Sequence, residues 1–106
     1  MKFGLTEATL AKIRGVFSDY PAVEKAVLYG SRAKGNFKPG SDIDLTLQGA
    51  ALAPELVATI AEALDDLLLP HTIDLSMLDS IENNELREHI QRVGLDFYRR
   101  DGGAQA

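Results

Sequence analysis

Residues 30–45 read Gly-Ser-Arg-Ala-Lys-Gly-Asn-Phe-Lys-Pro-Gly-Ser-Asp-Ile-Asp-Leu, and this stretch decides the fold. A Gly-Ser pair closes an apolar run, a short basic loop rich in Gly and Pro follows, and two aspartates then alternate with apolar residues. A Gly-Ser turn that opens a helix offers backbone N–H groups to a phosphate chain. Asp42 and Asp44 lie two apart on a predicted strand, so their carboxylates share one face, roughly 6–7 Å apart. That spacing allows shared divalent cations, and the stretch predicts metal-assisted chemistry on a nucleoside triphosphate.

The spacing of these residues also carries a family resemblance. The pattern Gly-Ser, ten residues, Asp-x-Asp resembles the signature of the polymerase-beta-type nucleotidyltransferases. The version Gly-Ser-Arg-Ala-Lys-Gly in so short a chain is similar to their minimal branch, the MNT proteins. The resemblance covers about residues 5–98 and implies a polymerase-beta-like nucleotidyltransferase fold.

Hydrophobic periodicity predicts a small α/β domain. Strands are predicted over 24–29, 42–47 and 71–76, each with apolar side chains on one face. Helical spacing predicts one helix after Thr6, a second over 54–68, and a third that Ser80 caps. A helical crossover between the second and third strands would make that pair parallel. We therefore expect a small mixed sheet with helices packed on one face and a polar, open opposite face.

Length and composition limit the functional classes. The 106 residues predict one domain over 1–100, with 101–106 too polar and Gly/Ala-rich to fold. The net charge of −5 disfavours non-specific binding of nucleic acid, and the absence of cysteine excludes disulfides and thiolate chemistry. The sequence has no apolar run long enough for a membrane span and no signal-peptide pattern at its start, so we expect a cytoplasmic protein.

A third carboxylate, Asp74, occupies the matching position of the third predicted strand. By itself it is an ordinary strand residue, but the third acidic residue of the resembling family also falls on a strand after the intervening helix. We therefore predict Asp42, Asp44 and Asp74 as catalytic residues and as ligands of two Mg²⁺ ions. The alternative is that they are solvent-facing residues of amphipathic strands.

The resemblance also implies the groups that bind the nucleotide. Gly30 and Ser31 would contact phosphate, with Arg32 and Lys34 as weaker candidates for phosphate or partner binding. Surface Arg and Lys residues are often merely solvated, and Gly-Ser is common at strand ends. His71 and His89 have no ligand partner at metal-binding spacing, so we expect them to be ordinary surface or half-buried histidines.

The activity that the resemblance implies is transfer of AMP from ATP to a hydroxyl group. Minimal proteins of this kind pair with a small helical HEPN ribonuclease, act as its antitoxin and adenylylate a hydroxyl on it, often of tyrosine. Two other functions remain open. The chain could neutralise its partner by forming a complex without catalysis, or it could be a subunit of a small-molecule nucleotidyltransferase. A homo-oligomer is a further candidate assembly.

Overall fold

The structure is a computed structural model, and it describes residues 1–100. The predicted tail over 101–106 lies outside the described residues. The elements follow one another along the chain as α1 (Glu7–Ser18), β1 (Lys25–Tyr29), α2 (Ser31–Lys34), β2 (Ile43–Gln48), α3 (Pro54–Asp65), β3 (Ile73–Met77), a 3₁₀ turn (Leu78–Ser80), α4 (Asn84–Val93) and β4 (Leu95–Arg99).

The four strands form one mixed sheet in the order β3-β2-β1-β4. β1 runs antiparallel to both β2 and β4, whereas β2 and β3 are parallel. Two parallel neighbours require a crossover connection, and α3 supplies it. The predicted mixed α/β sheet and its parallel pair are confirmed.

The main core lies between one face of the sheet and the helices α1 and α3. Each of these two helices buries a stripe of apolar side chains at helical spacing. The strands contribute the alternate residues that point to this face. The buried residues of this core include Leu10, Ile13, Phe17, Ala26, Leu28, Ile43, Leu45, Leu47, Ile60, Leu64 and Phe97.

The opposite face differs from the expectation of an open surface, because α4 packs on it. Ile90 of α4 contacts Val27 and Tyr29 of β1, and together they form a second, smaller buried cluster. The predicted polar side chains over β2 and β3 are on this face, while β1 contributes apolar ones that need cover. We call the face that carries Asp44 and Asp74 the site face. It is covered over β1 and remains polar over β2 and β3.

The second long helix is shorter than its apolar pattern predicts. It ends at Asp65, and Leu68, placed on the apolar stripe by periodicity, is 87% exposed with a φ of 54°. Pro70 disfavours helical geometry in the residue before it. The chain therefore turns here to enter β3.

The last helix begins three residues later than predicted. Ser80 ends the 3₁₀ turn, and the N-cap is Asn83, whose side chain accepts a hydrogen bond from the backbone N–H of Leu86 at 3.0 Å. Asn and Ser are similarly good N-caps, so the sequence alone did not separate the two positions. Over residues 1–100, no helix has the length and apolar character needed to cross a bilayer.

Candidate functional site

Two carboxylates meet at the centre of the site face. Asp44 of β2 and Asp74 of β3 are direct partners in the parallel register, and Tyr29 of β1 is opposite Asp44 on the other side. Neighbouring strands lie about 4.8 Å apart, so paired side chains on one face are close together. We call Asp44 and Asp74 the carboxylate row. Asp42 immediately precedes β2 and is exposed.

The three aspartates are not neutralised by the part of the chain that the structure describes. None of them takes a hydrogen bond or forms an ion pair within residues 1–100. Burial raises the pKa of Asp44, and the negative charges of Asp74 and Asp42 raise it further. A cluster of acidic groups in this state is stabilised by cations.

The donor set suits a hard divalent cation, although the protein does not enclose one. No group of three or more His, Cys, Asp or Glu side chains is arranged to hold a metal ion among residues 1–100. Mg²⁺ typically takes one or two carboxylates and completes its shell with water and substrate phosphates. The unpaired carboxylate oxygens of Asp42, Asp44 and Asp74 fit that requirement.

The Gly-Ser turn lies directly against the carboxylate row. Gly30 has φ 76° and ψ −157° and is the N-cap of α2, while Ser31 is the first residue of that helix. A Cβ added to Gly30 would collide with Oδ2 of Asp44. Glycine is required here both for the left-handed backbone and for the close approach of the carboxylate.

His89 is a site residue that sequence reasoning missed. Its Nε2 accepts a hydrogen bond from the backbone N–H of Gly30 at 3.1 Å, and its ring packs edge-on against Tyr29. This contact ties α4 to the Gly-Ser turn and requires a histidine tautomer in which Nε2 is unprotonated. No sequence signal pointed to it, because the two residues are 59 positions apart.

Arg32 is engaged with its own chain. The residue is only 2% exposed, and its Nε and Nη2 donate to the carbonyl of Ser41 at 3.1 and 2.9 Å. Nη1 donates to the carbonyl of Phe3 at 3.0 Å, and the guanidinium lies over the ring of Phe37. The expectation that Arg32 contacts phosphate is not supported by these contacts.

The contacts of Arg32 give it a positioning role instead. Ser41 immediately precedes Asp42, so the fork of the guanidinium fixes the end of the loop that presents this carboxylate. Burial lowers the pKa of His71, and the neighbouring Arg32 charge lowers it further. Lys34 is exposed at the end of α2 and remains accessible to a ligand or a partner.

One cavity among the described residues lies away from this site. It has a volume of about 440 Å³ and is lined by Glu24, Lys25, Gln48, Arg99 and Arg100. Lys25 and Gln48 are register partners at the far end of the β1–β2 pair from Tyr29 and Asp44. This cavity is therefore separate from the candidate site.

A small mixed sheet with a Gly-Ser turn against paired carboxylates defines the nucleotidyltransferase class of fold. The family model described as "Polymerase beta, Nucleotidyltransferase" matches residues 11–102. The chain belongs to this family. A search of curated proteins finds no match.

Solved structures share the fold at low sequence identity. A chain of a toxin–antitoxin complex with AMP-PNP has a TM-score of 0.68 and 22% identity over 95% of this chain and 79% of that one. A complex of an MNT antitoxin with the tri-AMPylated HEPN toxin of Shewanella oneidensis gives 0.66 and 20%, over 95% and 78%. A nucleotidyltransferase from Sulfolobus solfataricus gives 0.55 and 21%, over 87% and 79%. The predicted resemblance to MNT proteins is confirmed.

The first prediction tests the contact between Gly30 and Asp44. Gly30→Ala should lower the free energy of unfolding through backbone strain of roughly 1–2 kcal/mol and an additional steric collision. Gly35→Ala is the matched control, because Gly35 has a φ of 86° but nothing within 4 Å of an added Cβ. Urea unfolding of both variants should show the larger loss for Gly30→Ala. Equal losses would mean that Asp44 does not crowd the turn.

The second prediction follows from the raised pKa of Asp44. The folded protein binds the proton on the Asp44 carboxyl more tightly than the unfolded chain does. Asp44 therefore contributes a stabilisation that is fully present below the ordinary Asp pKa of about 3.9. This stabilisation is lost as the pH rises through the raised pKa of the folded protein. Asp44→Asn should therefore raise the melting temperature of the metal-free protein at pH 7, and the gain should shrink at acidic pH.

Thermal melts across pH measure this effect. The exposed Glu62 on α3 provides the control, because Glu62→Gln makes the same charge change away from the carboxylate row. A pH-independent difference between wild type and Asp44→Asn would refute the assigned electrostatic cause.

Proposed function

We propose that this protein is a Mg²⁺-dependent adenylyltransferase that moves AMP from ATP to a hydroxyl group. The observation that carries the proposal is the carboxylate row, which lies unpaired against the Gly-Ser turn. Family membership supports nucleotidyl transfer as the class of chemistry. The choice of ATP is supported by a structural neighbour that was solved with AMP-PNP.

Each residue of the site has a distinct proposed role. Asp42 and Asp44 would hold the divalent cations, and Asp74 would join them on the side of the attacking hydroxyl. Bound there, the cations would neutralise the triphosphate and lower the pKa of the nucleophile. The Gly30–Ser31 turn and the exposed Lys34 would bind the triphosphate chain.

The proposed reaction is an in-line displacement at the α-phosphorus. The acceptor oxygen forms a bond to this phosphorus as the bond to the bridging oxygen of the β-phosphate breaks, and pyrophosphate leaves. Asp74 would accept the proton of the acceptor hydroxyl. Asp74 is exposed on the edge strand of the sheet, so an acceptor on another molecule can approach it.

We propose a HEPN-type ribonuclease as the acceptor and the antitoxin role as the biological function, in the cytoplasm. This assignment is supported by the fold shared with an MNT antitoxin whose HEPN partner is tri-AMPylated. The polar face of α4 lies beside the site and exposes Glu85, Glu88 and Arg92, which a protein partner can contact.

The third prediction concerns the transferred group. With a HEPN-type partner, Mg²⁺ and ATP, label from the α-phosphate should appear on the partner, and label from the γ-phosphate should leave with pyrophosphate. The double variant Asp42→Asn/Asp44→Asn should lose orders of magnitude in rate. Asp74→Asn should lower kcat while sparing much of the nucleotide affinity.

A control for this assay keeps the same change in net charge. Asp65→Asn/Asp66→Asn removes two exposed carboxylates at the end of α3, and should transfer label at the wild-type rate. Transfer of the γ-label to the partner would mean phosphoryl transfer and would contradict the proposal.

The fourth prediction separates catalysis from neutralisation by complex formation. An enzymatic antitoxin needs its carboxylates, so Asp42→Asn/Asp44→Asn should fail to rescue cells from the partner while still folding and still binding it. Wild-type protein should also protect below one molecule per partner, because a modified partner stays modified. Full rescue by the double variant at normal expression would favour the non-catalytic function.

A further inference from the structure

Two buried hydroxyl groups lie next to the carboxylate row without a use in the proposed reaction. Thr46 and Ser76 are direct register partners, two residues further along β2 and β3 than Asp44 and Asp74, and therefore on the same face. Thr46 is fully buried. Neither Oγ1 of Thr46 nor Oγ of Ser76 has a hydrogen-bond partner among the residues that the structure describes.

A third hydroxyl reaches the same place from β1. Tyr29 is 8% exposed, is paired with Asp44, and brings its hydroxyl beside that of Ser76 without closing a direct hydrogen bond. A tyrosine phenol is a neutral O–H group at pH 7, so it can both donate and accept a hydrogen bond.

The hydroxyl oxygens of Thr46 and Ser76 are closed to solvent. Val27, the register partner of Thr46, belongs to the buried cluster with Tyr29 and Ile90, and Leu78 and Ile81 pack against that cluster. Each buried hydroxyl left unsatisfied costs about 1–3 kcal/mol.

A water molecule bound by all three hydroxyls would remove this energetic cost. Internal waters typically make about three hydrogen bonds, and they make them to buried polar groups that otherwise lack partners. A hydroxyl both donates and accepts, so three hydroxyls can satisfy both the donors and the acceptors of one water. Tyr29, Thr46 and Ser76 supply this number from three neighbouring strands.

We infer that Tyr29, Thr46 and Ser76 bind one internal water molecule beside the carboxylate row. The water joins β1, β2 and β3 at the level of the site and fixes the hydroxyl of Tyr29, which neighbours Asp44. Tyr29, Thr46 and Ser76 are positioning residues in this arrangement. The inference goes beyond the proposed function and does not depend on it, because the water is bound without nucleotide or partner.

The sign of a stability change tests the inference on the protein alone. Thr46→Val keeps the shape of the side chain and removes the hydroxyl. If the hydroxyl binds a water, its loss leaves the water and the other two hydroxyls short of a partner, and the melting temperature falls. If the Thr46 hydroxyl binds no water, its replacement by a methyl group raises the melting temperature or leaves it unchanged. Either result would overturn the inference.

Thr72→Val is the matched control, because it makes the same substitution away from the three hydroxyls. Thr72 is exposed and immediately precedes β3. Its melting temperature should equal that of the wild type. Thr46→Ser retains the hydroxyl and should keep the water, even though it removes a methyl group from the core.

A double-mutant cycle between Thr46→Val and Tyr29→Phe tests whether the residues share one water. A shared water predicts that the double variant loses less stability than the two single losses added together. Strict additivity would contradict a shared water. A crystal structure at atomic resolution supplies the direct test, with one ordered water within hydrogen-bond distance of all three hydroxyls in the wild type and in Thr46→Ser. Absence of that water from the wild type would overturn the inference.

Discussion

The parallel pairing of β2 with β3 is the interaction on which the site depends. It brings Asp44 beside Asp74 although the two are 30 positions apart, and the same register aligns Thr46 with Ser76. Burying a carboxylate beside other carboxylates is unfavourable: burial raises the pKa of Asp44, and the charges of Asp74 and Asp42 raise it further. The burial of Ile43, Leu45 and Leu47 on the other face offsets this cost and holds the register.

Two contacts connect the loops of the site to this pair of strands. Gly30 lies so close to Asp44 that no side chain fits, and its N–H is held by His89 from α4. Arg32 fixes Ser41 and, through it, the start of Asp42. The phosphate-binding turn and the metal-binding carboxylates of the proposed mechanism are therefore positioned against each other before any ligand binds.

The site face combines a closed part with an open part. Over β1, α4 covers Val27 and Tyr29 with apolar side chains, and over β3, Asp74 remains exposed at the edge of the sheet. The covered part suits groups that must keep a fixed orientation, such as the hydroxyls proposed to hold an internal water. The open part suits an acceptor that arrives on a separate molecule, as the proposed transfer to a partner protein requires.

The sequence by itself determined the elements and the chemistry of the central stretch. Alternation of apolar and polar residues located β2 and β3 and put Asp44 and Asp74 on one face, because a strand has a period of two. The Gly-Ser pair located the turn, because few residues other than glycine adopt the positive φ found at Gly30. Only the tertiary structure decided which distant groups meet: that Arg32 binds the carbonyl of Ser41, that His89 binds Gly30, and that α4 covers β1. These contacts depend on the packing of separate elements, and local periodicity carries no information about packing partners.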